Sequence, residues 1–259
     1  MTAAPINPAN PTTPNVDPRE VAQFDALARE WWDPEGKMKP LHKLGPARMG
    51  YLRETIAGHF GRIGPDTRAS TMPLAGLSIL DVGCGGGLVA EPLARMGAIV
   101  TGLDPGAETI AAARAHAISQ GLAIDYRVGR IEEIASSYER FDVVTCLEVV
   151  EHVPDVGAFL KAAAETVRPG GLLVASTINR TLRSYALAIV AAEYVLQWLP
   201  RGTHDWNRFV QPEEMAIYLR RAGLMPPRFT GLVLDPIADR WQTSTDTAVN
   251  YFAASAKPG

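Results

Sequence analysis

The chain has 259 residues and a mass of 27.9 kDa, long enough for one large domain that buries its own core. Its 25 Lys and Arg against 28 Asp and Glu give a net charge of −3, which excludes a surface built mainly to neutralise phosphates, and no basic stripe suggests a nucleic-acid partner. Two cysteines, Cys84 and Cys146, exclude a disulfide framework and read as small core residues.

Pro5, Pro8, Pro11, Pro14 and Pro18 punctuate the start of the chain without a basic head or an apolar run. Residues 1–16 therefore read as a solvated, polyproline-type disordered tail and not as a signal peptide. Residues 17–259 read as a single domain, with 17–70 as an N-terminal helical extension. Asp17-Pro18-Arg19-Glu20 has the composition of a capping box with proline at the first helical position. Val21, Phe24, Leu27, Ala28 and Trp31 come next at helical spacing, so the first helix is expected to reach Trp32 and stop at Asp33-Pro34-Glu35-Gly36. A second helix is expected over 46–63.

From residue 77 the pattern alternates as in a parallel α/β domain. Strands are expected over 77–82, 99–103, 124–128, 141–147 and 172–177, with helices over 89–96, 107–119 and 158–167. The 141–147 stretch is almost continuously apolar, as a buried central strand should be. Two further strands, 229–234 and 248–254, read as a closing antiparallel hairpin, which makes seven strands in all. No internal repeat is present, and about 179–215 reads as a helical insertion.

Leu80-Asp81-Val82-Gly83-Cys84-Gly85-Gly86-Gly87 is a strand running into glycines before a helix, which lets a ligand approach the backbone at the carboxyl edge of a sheet. Asp104 closes the second strand, about 20 residues after the first glycine, where an acid is placed to hold a ribose hydroxyl pair. A nicotinamide fingerprint needs a third glycine where Leu88 stands, which disfavours an NAD-dependent dehydrogenase. The acid-x-G-x-G-x-G form resembles motif I of the class I S-adenosylmethionine-dependent methyltransferases. That resemblance implies a Rossmann-like α/β fold, S-adenosylmethionine as methyl donor, Asp81 and the Gly83–Gly85 loop at its methionine part, and Asp104 at its ribose.

The residues after the fourth strand narrow the acceptor. An Asn/Asp-Pro-Pro-aromatic loop for amino methylation is absent there, and neither cysteine comes after a proline as a base-methylating nucleophile would. The chain instead reads Glu148-Val149-Val150-Glu151-His152. On a helical turn its three polar residues share one face. They suit a divalent metal with oxygen-rich ligation, Mg2+ or Mn2+. Alternatively His152 alone is a general base, or the acids merely favour a helix N-terminus. Of the other histidines, His42 is a candidate to face substrate, His59 and His116 are expected to be solvated, and His204 is either a loop capper or a substrate-side residue.

Trp31-Trp32-Asp33-Pro34-Glu35-Gly36, Pro40-Leu41-His42, Arg48-Met49-Gly50-Tyr51, the Asp81 to Gly87 loop, the stretch from Asp142 to Pro154, Ser176-Thr177-Ile178-Asn179-Arg180, Gly202-Thr203-His204-Asp205 and Val249-Asn250-Tyr251 together resemble the ubiquinone biosynthesis O-methyltransferases. The resemblance runs from about residue 15 to the C-terminus. It implies methylation of polyprenylated catechol intermediates at two steps, with Arg48, Gly83, Asp104 and Leu147 contacting S-adenosylmethionine and Arg48 at its carboxylate. It also implies a divalent metal, Mg2+, at Glu148, Glu151 and His152 in eukaryotic relatives, and other ubiquinone-biosynthesis proteins as partners; the start of the chain, which does not read as a signal peptide, makes a cytoplasmic protein the expectation.

One stretch fits less simply. Residues 185–199 carry Glu193 and Gln197 as their only strongly polar members; a helix of that length is about 22 Å, short of the roughly 30 Å hydrocarbon core. It reads either as a buried helix or as a lid lying in the membrane surface at the inner face of the membrane. Two other functions fit the pattern: an O-methyltransferase for another small phenol or catechol, and a non-catalytic cofactor-binding subunit of a quinone-synthesis complex.

Overall fold

A computed structural model describes residues 15–63, 70–185, 206–235 and 237–259. The expectations for the proline tail over 1–14, for most of the 185–199 stretch and for His204 fall outside the described residues. Among the described residues no helix is long and apolar enough to cross a membrane.

An eight-stranded sheet of order β3-β2-β1-β4-β5-β8-β6-β7 carries helices on both faces. Its strands are β1 (Ser78–Val82), β2 (Ile99–Asp104), β3 (Asp125–Val128), β4 (Phe141–Leu147), β5 (Val167–Ile178), β6 (Arg228–Asp235), β7 (Arg240–Ser244) and β8 (Asn250–Ala256). The helices are α1 (Pro18–Asp25), α2 (Lys39–His59), α3 (Ala90–Arg95), α4 (Ala107–Ser119), α5 (Ile131–Ser136), α6 (Val156–Thr166), the single turn α7 (Leu182–Ser184) and α8 (Pro212–Arg221). The first five strands are parallel. β8 runs antiparallel between β5 and β6, and β7 closes the far edge.

Strand periodicity divides the core in two. Ile79, Val143, Val174 and Phe252 point to the face covered by α2, α3 and α4, where Leu52, Ile56, Leu93 and Ile110 meet them. Their neighbours Leu80, Val144, Leu173, Ala175 and Tyr251 point to the opposite face, against Leu160, Met215 and Leu219 of α6 and α8. The central strands are thus apolar on both sides, as parallel strands under two helical layers must be. By the same alternation Asp81 shares the parity of Ile79 and points toward the α2 layer.

The expected seven-stranded sheet is corrected to eight. Arg240–Ser244 is an edge strand with largely exposed side chains, so it has no buried face to print an apolar alternation in the sequence. β6 and β8 do pair, but β7 intervenes in the chain, so they are not a simple hairpin. The helices α5 and α8 are additions to the expected set.

The N-terminal extension departs further. Asp17 caps α1 through the Arg19 amide at 3.0 Å, but Glu20 does not complete a capping box. α1 ends at Asp25 rather than Trp32, because Asp25 Oδ1 accepts from both the Thr109 N–H (3.0 Å) and Thr109 Oγ1 (2.8 Å) and so caps α4, 84 residues away. A 3-10 turn, Ala28–Glu30, then carries the chain to Trp31. α2 starts seven residues before the expected Pro46, at Lys39. Pro40 in its first turn suits a helix start. Pro46 inside the helix removes one hydrogen bond, a cost of about 3 kcal/mol, which burial of Leu44, Leu52 and Ile56 at roughly 1.5–3 kcal/mol each offsets. Asn15, assigned to the tail, is docked instead: its side chain donates to the Asp155 carbonyl (2.8 Å) and accepts from the Asp155 N–H (2.7 Å).

Candidate active site

The strand order reverses between β1 and β4, so the loops leaving their carboxyl ends flank a crevice, the place where open α/β sheets bind ligands. Val82 is in register with Cys146, and the two loops therefore emerge side by side. Between them and the N-terminal extension lies a cavity of about 620 Å³, lined by Arg48, Asp81, Gly83, Gly85, Asp104, Leu147, Glu148, Glu151 and His152 among others. All the expected site residues line one space. His42 does not; its Nε2 meets the Trp31 carbonyl at 3.0 Å, and it orders the extension instead.

The loop after β1 is made of backbone. Gly83 has φ +68°, and a Cβ there would lie 2.4 Å from Val149 Cγ2 of the neighbouring loop; only glycine fits both the left-handed conformation and the interlock. Gly85 has φ +52°, and a Cβ would lie 2.1 Å from the Trp31 ring. Asp104 holds this loop: its Oδ2 accepts from the Gly85 N–H at 3.0 Å and its Oδ1 from the Gly106 N–H at 2.8 Å. Each oxygen retains a lone pair for a further donor. Burial raises the Asp104 pKa against those two amides, which lower it.

Two charged groups here have unspent capacity. Thr145 Oγ1 donates to Asp81 Oδ1 at 2.6 Å, while Asp81 Oδ2 is buried with no hydrogen-bond partner. Burial pushes Asp81 up to about 7, against the Thr145 hydrogen bond and the Arg48 charge. Arg48 enters from α2, 4% exposed, and its Nε and Nη2 likewise have no partner. Burial lowers its pKa, opposed by the charges of Glu148, Asp81 and Glu151. A buried guanidinium with two nitrogens free of hydrogen bonds, beside a buried carboxylate oxygen with none, is costly. A ligand carrying both an anionic and a cationic group would offset that cost.

The segment after β4 corrects an expectation. Residues 148–152 form turns rather than a helix, and Glu148 is in the left-handed region at φ +56°, so the three polar residues do not share a helical face. Ser176 Oγ donates to Glu148 Oε1 at 2.6 Å, and Thr177 Oγ1 to Glu151 Oε2 at 2.9 Å. His152 Nδ1 instead meets Glu20 Oε2 at 3.2 Å. The donors are turned to separate partners, and among the described residues no three His, Cys, Asp or Glu side chains converge as a metal site. The Mg2+ set does not fit this arrangement. Burial, then the Glu148 charge, raises the Glu151 pKa. Burial alone would lower the His152 imidazole, but the Glu20 hydrogen bond and the charges of Glu151, Glu20 and Glu148 outweigh it and raise its pKa.

How the extension closes the site is not legible from local pattern. Trp31 lies over Gly85 and Gly86. Trp32 Nε1 donates to the Gly86 carbonyl at 2.9 Å, and its ring stacks on His116 with centroids 3.6 Å apart. His116, expected to be solvated, is held by Glu91 at 2.7 Å. The doubled tryptophan is the one available signal, and local spacing makes it read as a helix end. The cysteines are as expected: both are buried and unpaired.

Residues 80–175 match the family model described as "Methyltransferase domain". A ubiquinone biosynthesis O-methyltransferase of Azorhizobium caulinodans is 54% identical over 92% of each chain. Another, of Methylobacterium sp. (strain 4-46), is 52% identical over 96% of this chain and 98% of its own. Among solved structures, magnesium protoporphyrin IX methyltransferase from Synechocystis PCC 6803 with bound SAH has a TM-score of 0.59 at 19% identity, covering 91% of this chain and 94% of its own. That similarity bears on the fold alone.

Proposed function

The chain belongs to the ubiquinone biosynthesis O-methyltransferase family, and from that premise we propose how its cavity performs S-adenosylmethionine-dependent O-methylation of a polyprenylated phenolic acceptor. The observation that carries the assignment is the pair of unspent buried groups, the Arg48 guanidinium and Asp81 Oδ2, which suit the carboxylate and ammonium of a methionine moiety. Asp104 takes the ribose hydroxyls, Gly83 and Gly85 admit the donor to the backbone, and Leu147 packs at the adenosine. When bound, S-adenosylmethionine supplies a methyl group on a positive sulfur that an acceptor oxygen displaces in line.

The remaining work falls to the chain: alignment and removal of one proton. A free phenol has a pKa of about 10, so its oxygen is a poor nucleophile near neutrality. His152 lines the cavity at the end of β4, and its imidazole takes the hydroxyl proton as the oxygen–carbon bond forms. Leu41, Leu44, Leu232, Leu234 and Trp241 make an apolar wall for the prenylated ring. Methylation at both O-methylation steps of the pathway, and contact of 185–199 with anionic lipid that would keep the prenyl tail in its bilayer, complete the proposal. Failure of the full-length protein to sediment with anionic liposomes would remove the lipid contact.

The decisive measurement is transfer of a labelled methyl group to a prenylated catechol by the wild type and by His152→Ala, with and without EDTA. Loss of His152 is expected to lower kcat by about 10²- to 10⁴-fold, and the wild-type rate should survive chelation. An unchanged rate in His152→Ala would remove the base assignment. A rate abolished by EDTA and restored by Mg2+ would transfer activation of the hydroxyl to a metal. Activity on a soluble catechol but on no prenylated one would point to a different acceptor.

A further inference from the structure

We propose that Glu20 of the N-terminal extension is a positioning residue for methyl transfer, holding the His152 imidazole so that Nε2 is the nitrogen offered to the acceptor. The inference rests on His152 serving as the base, as proposed above.

Glu20 and Phe24 stand four residues apart on α1, and so on one face of it. Both meet the same ring. Glu20 Oε2 is 3.2 Å from His152 Nδ1, and the Phe24 ring packs edge-on at 5.4 Å and 87°. His152 lies in a turn, its own N–H bonded to the Val149 carbonyl at 2.9 Å, and among the described residues no side chain of its own segment hydrogen-bonds the ring. α1 supplies that constraint from 132 residues away. Nε2 makes no hydrogen bond among the described residues and is left to the cavity that the ring lines.

Glu20 is itself held from a second direction. Arg208 Nη1 reaches its Oε1 at 3.3 Å, and Arg208 Nη2 reaches Asp17 Oδ2 at 3.5 Å. The His152 and Glu20 side chains are only 18% and 24% exposed, unlike a solvated ion pair of little consequence. Glu20 also had a local alternative, the capping box at the start of α1, and does not make it.

The chemistry comes down to the two nitrogens of one ring. With the Nδ1 proton directed to a carboxylate, a neutral imidazole carries its lone pair on Nε2. As the acceptor oxygen bonds to the methyl carbon and the carbon–sulfur bond breaks, the hydroxyl proton passes to Nε2. The Glu20 charge then faces the imidazolium that results. A base held in one orientation spends fewer encounters misaligned.

The test uses the full-length protein, labelled methyl donor and a short-chain prenylated catechol. Glu20→Gln is expected to lower kcat about 10-fold or more, with both KM values within about three-fold of wild type. Glu20→Asp, which keeps the charge, should recover most of that loss, and Glu20→Gln combined with His152→Ala should be no slower than His152→Ala alone. Wild-type kcat in Glu20→Gln, a rise confined to the acceptor KM, or additive losses in the double variant would each overturn the inference. If Glu20→Gln melts too low to assay, Glu20→Asp carries the test: a kcat as low as that of His152→Ala overturns the inference, and one near wild type supports it. A His152→Ala variant at the wild-type rate overturns the base assignment itself. An impaired His152→Ala beside an unimpaired Glu20→Gln overturns only the role of Glu20.

Discussion

The loops that leave β1 and β4 stand side by side at one crevice, yet they are built from different materials. The first is backbone: Gly83 and Gly85 at positive φ, with the Gly85 amide handed to Asp104, 19 residues away. The second is side chain, with Glu148, Glu151 and His152 each turned to a partner on another element. A site made from local backbone folds with its own strand, whereas one made from borrowed partners exists only after the extension and β5 have packed. With the donor placed as proposed, the donor side is largely a property of the α/β domain, whereas the acceptor side also draws Glu20 from the extension.

Arg48 crosses that division, since it comes from the extension and is proposed to serve the donor side, and among changes on that side it offers the largest effect. Arg48→Met is expected to weaken S-adenosylmethionine binding by about 1.5–3 kcal/mol, the worth of a hydrogen bond to a charged group, or roughly 10- to 100-fold by titration calorimetry. The same substitution replaces a buried cation, two of whose nitrogens make no hydrogen bond, with an apolar chain, so the melting temperature of the unliganded protein should hold or rise wherever that desolvation outweighs the attraction of Asp81, Glu148 and Glu151. Lower stability with unchanged affinity would make Arg48 a structural residue and restore a clean separation between the sides.

Asp81 sharpens the comparison through pH. Its carboxyl is raised to about 7 in the folded protein, above its ordinary value near 4. The protonated form is therefore favoured by folding. Its contribution to stability is full below about pH 4 and is lost as pH rises through about 7. A cationic ligand group pairs with the ionised form, so donor affinity should rise with pH up to about 7 and then level. Asp81→Asn is expected to bind more weakly, to flatten that rise, and to gain in melting temperature relative to wild type between pH 4 and 7. A wild-type binding curve flat across this range would contradict the assignment of Asp81 to the ammonium.

The smallest effect belongs to the surface clip between α2 and the β6–β7 turn. Lys43 Nζ lies 2.7 Å from Asp239 Oδ2, and the partners are 34% and 65% exposed. Lys43→Ala should cost less than about 1 kcal/mol in urea unfolding and leave donor affinity alone. A larger loss would mean that the extension is held to the sheet more by this clip than by its apolar face.

Much of the donor side is legible in the sequence because its requirements are local. Gly83, Gly85 and the spaced Asp104 announce a strand, a close backbone approach and an acid at the next strand end. The apolar run of β4 announces its place in the middle of the sheet. The acceptor side is legible in composition only. Glu148, Glu151 and His152 are at the site, but their spacing suggests a helical face where Glu148 in fact turns the chain at positive φ. Glu20 is hidden because Asp17-Pro18-Arg19-Glu20 offers a complete local explanation, and a satisfied local pattern gives no hint of a remote partner.

By itself, then, the sequence determined the parallel α/β core, the glycine loop and the set of residues that gather at its edge. Periodicity and conformational freedom belong to short contiguous stretches, and those stretches keep them in any context. Only the tertiary structure decided that α1 ends at Asp25, that Trp31 lies over the glycines, that the β4 turn presents no converged metal set, and that Glu20 meets His152. Each of these depends on which of several satisfied alternatives a polar or aromatic group adopts, and packing between segments far apart in the chain makes that choice.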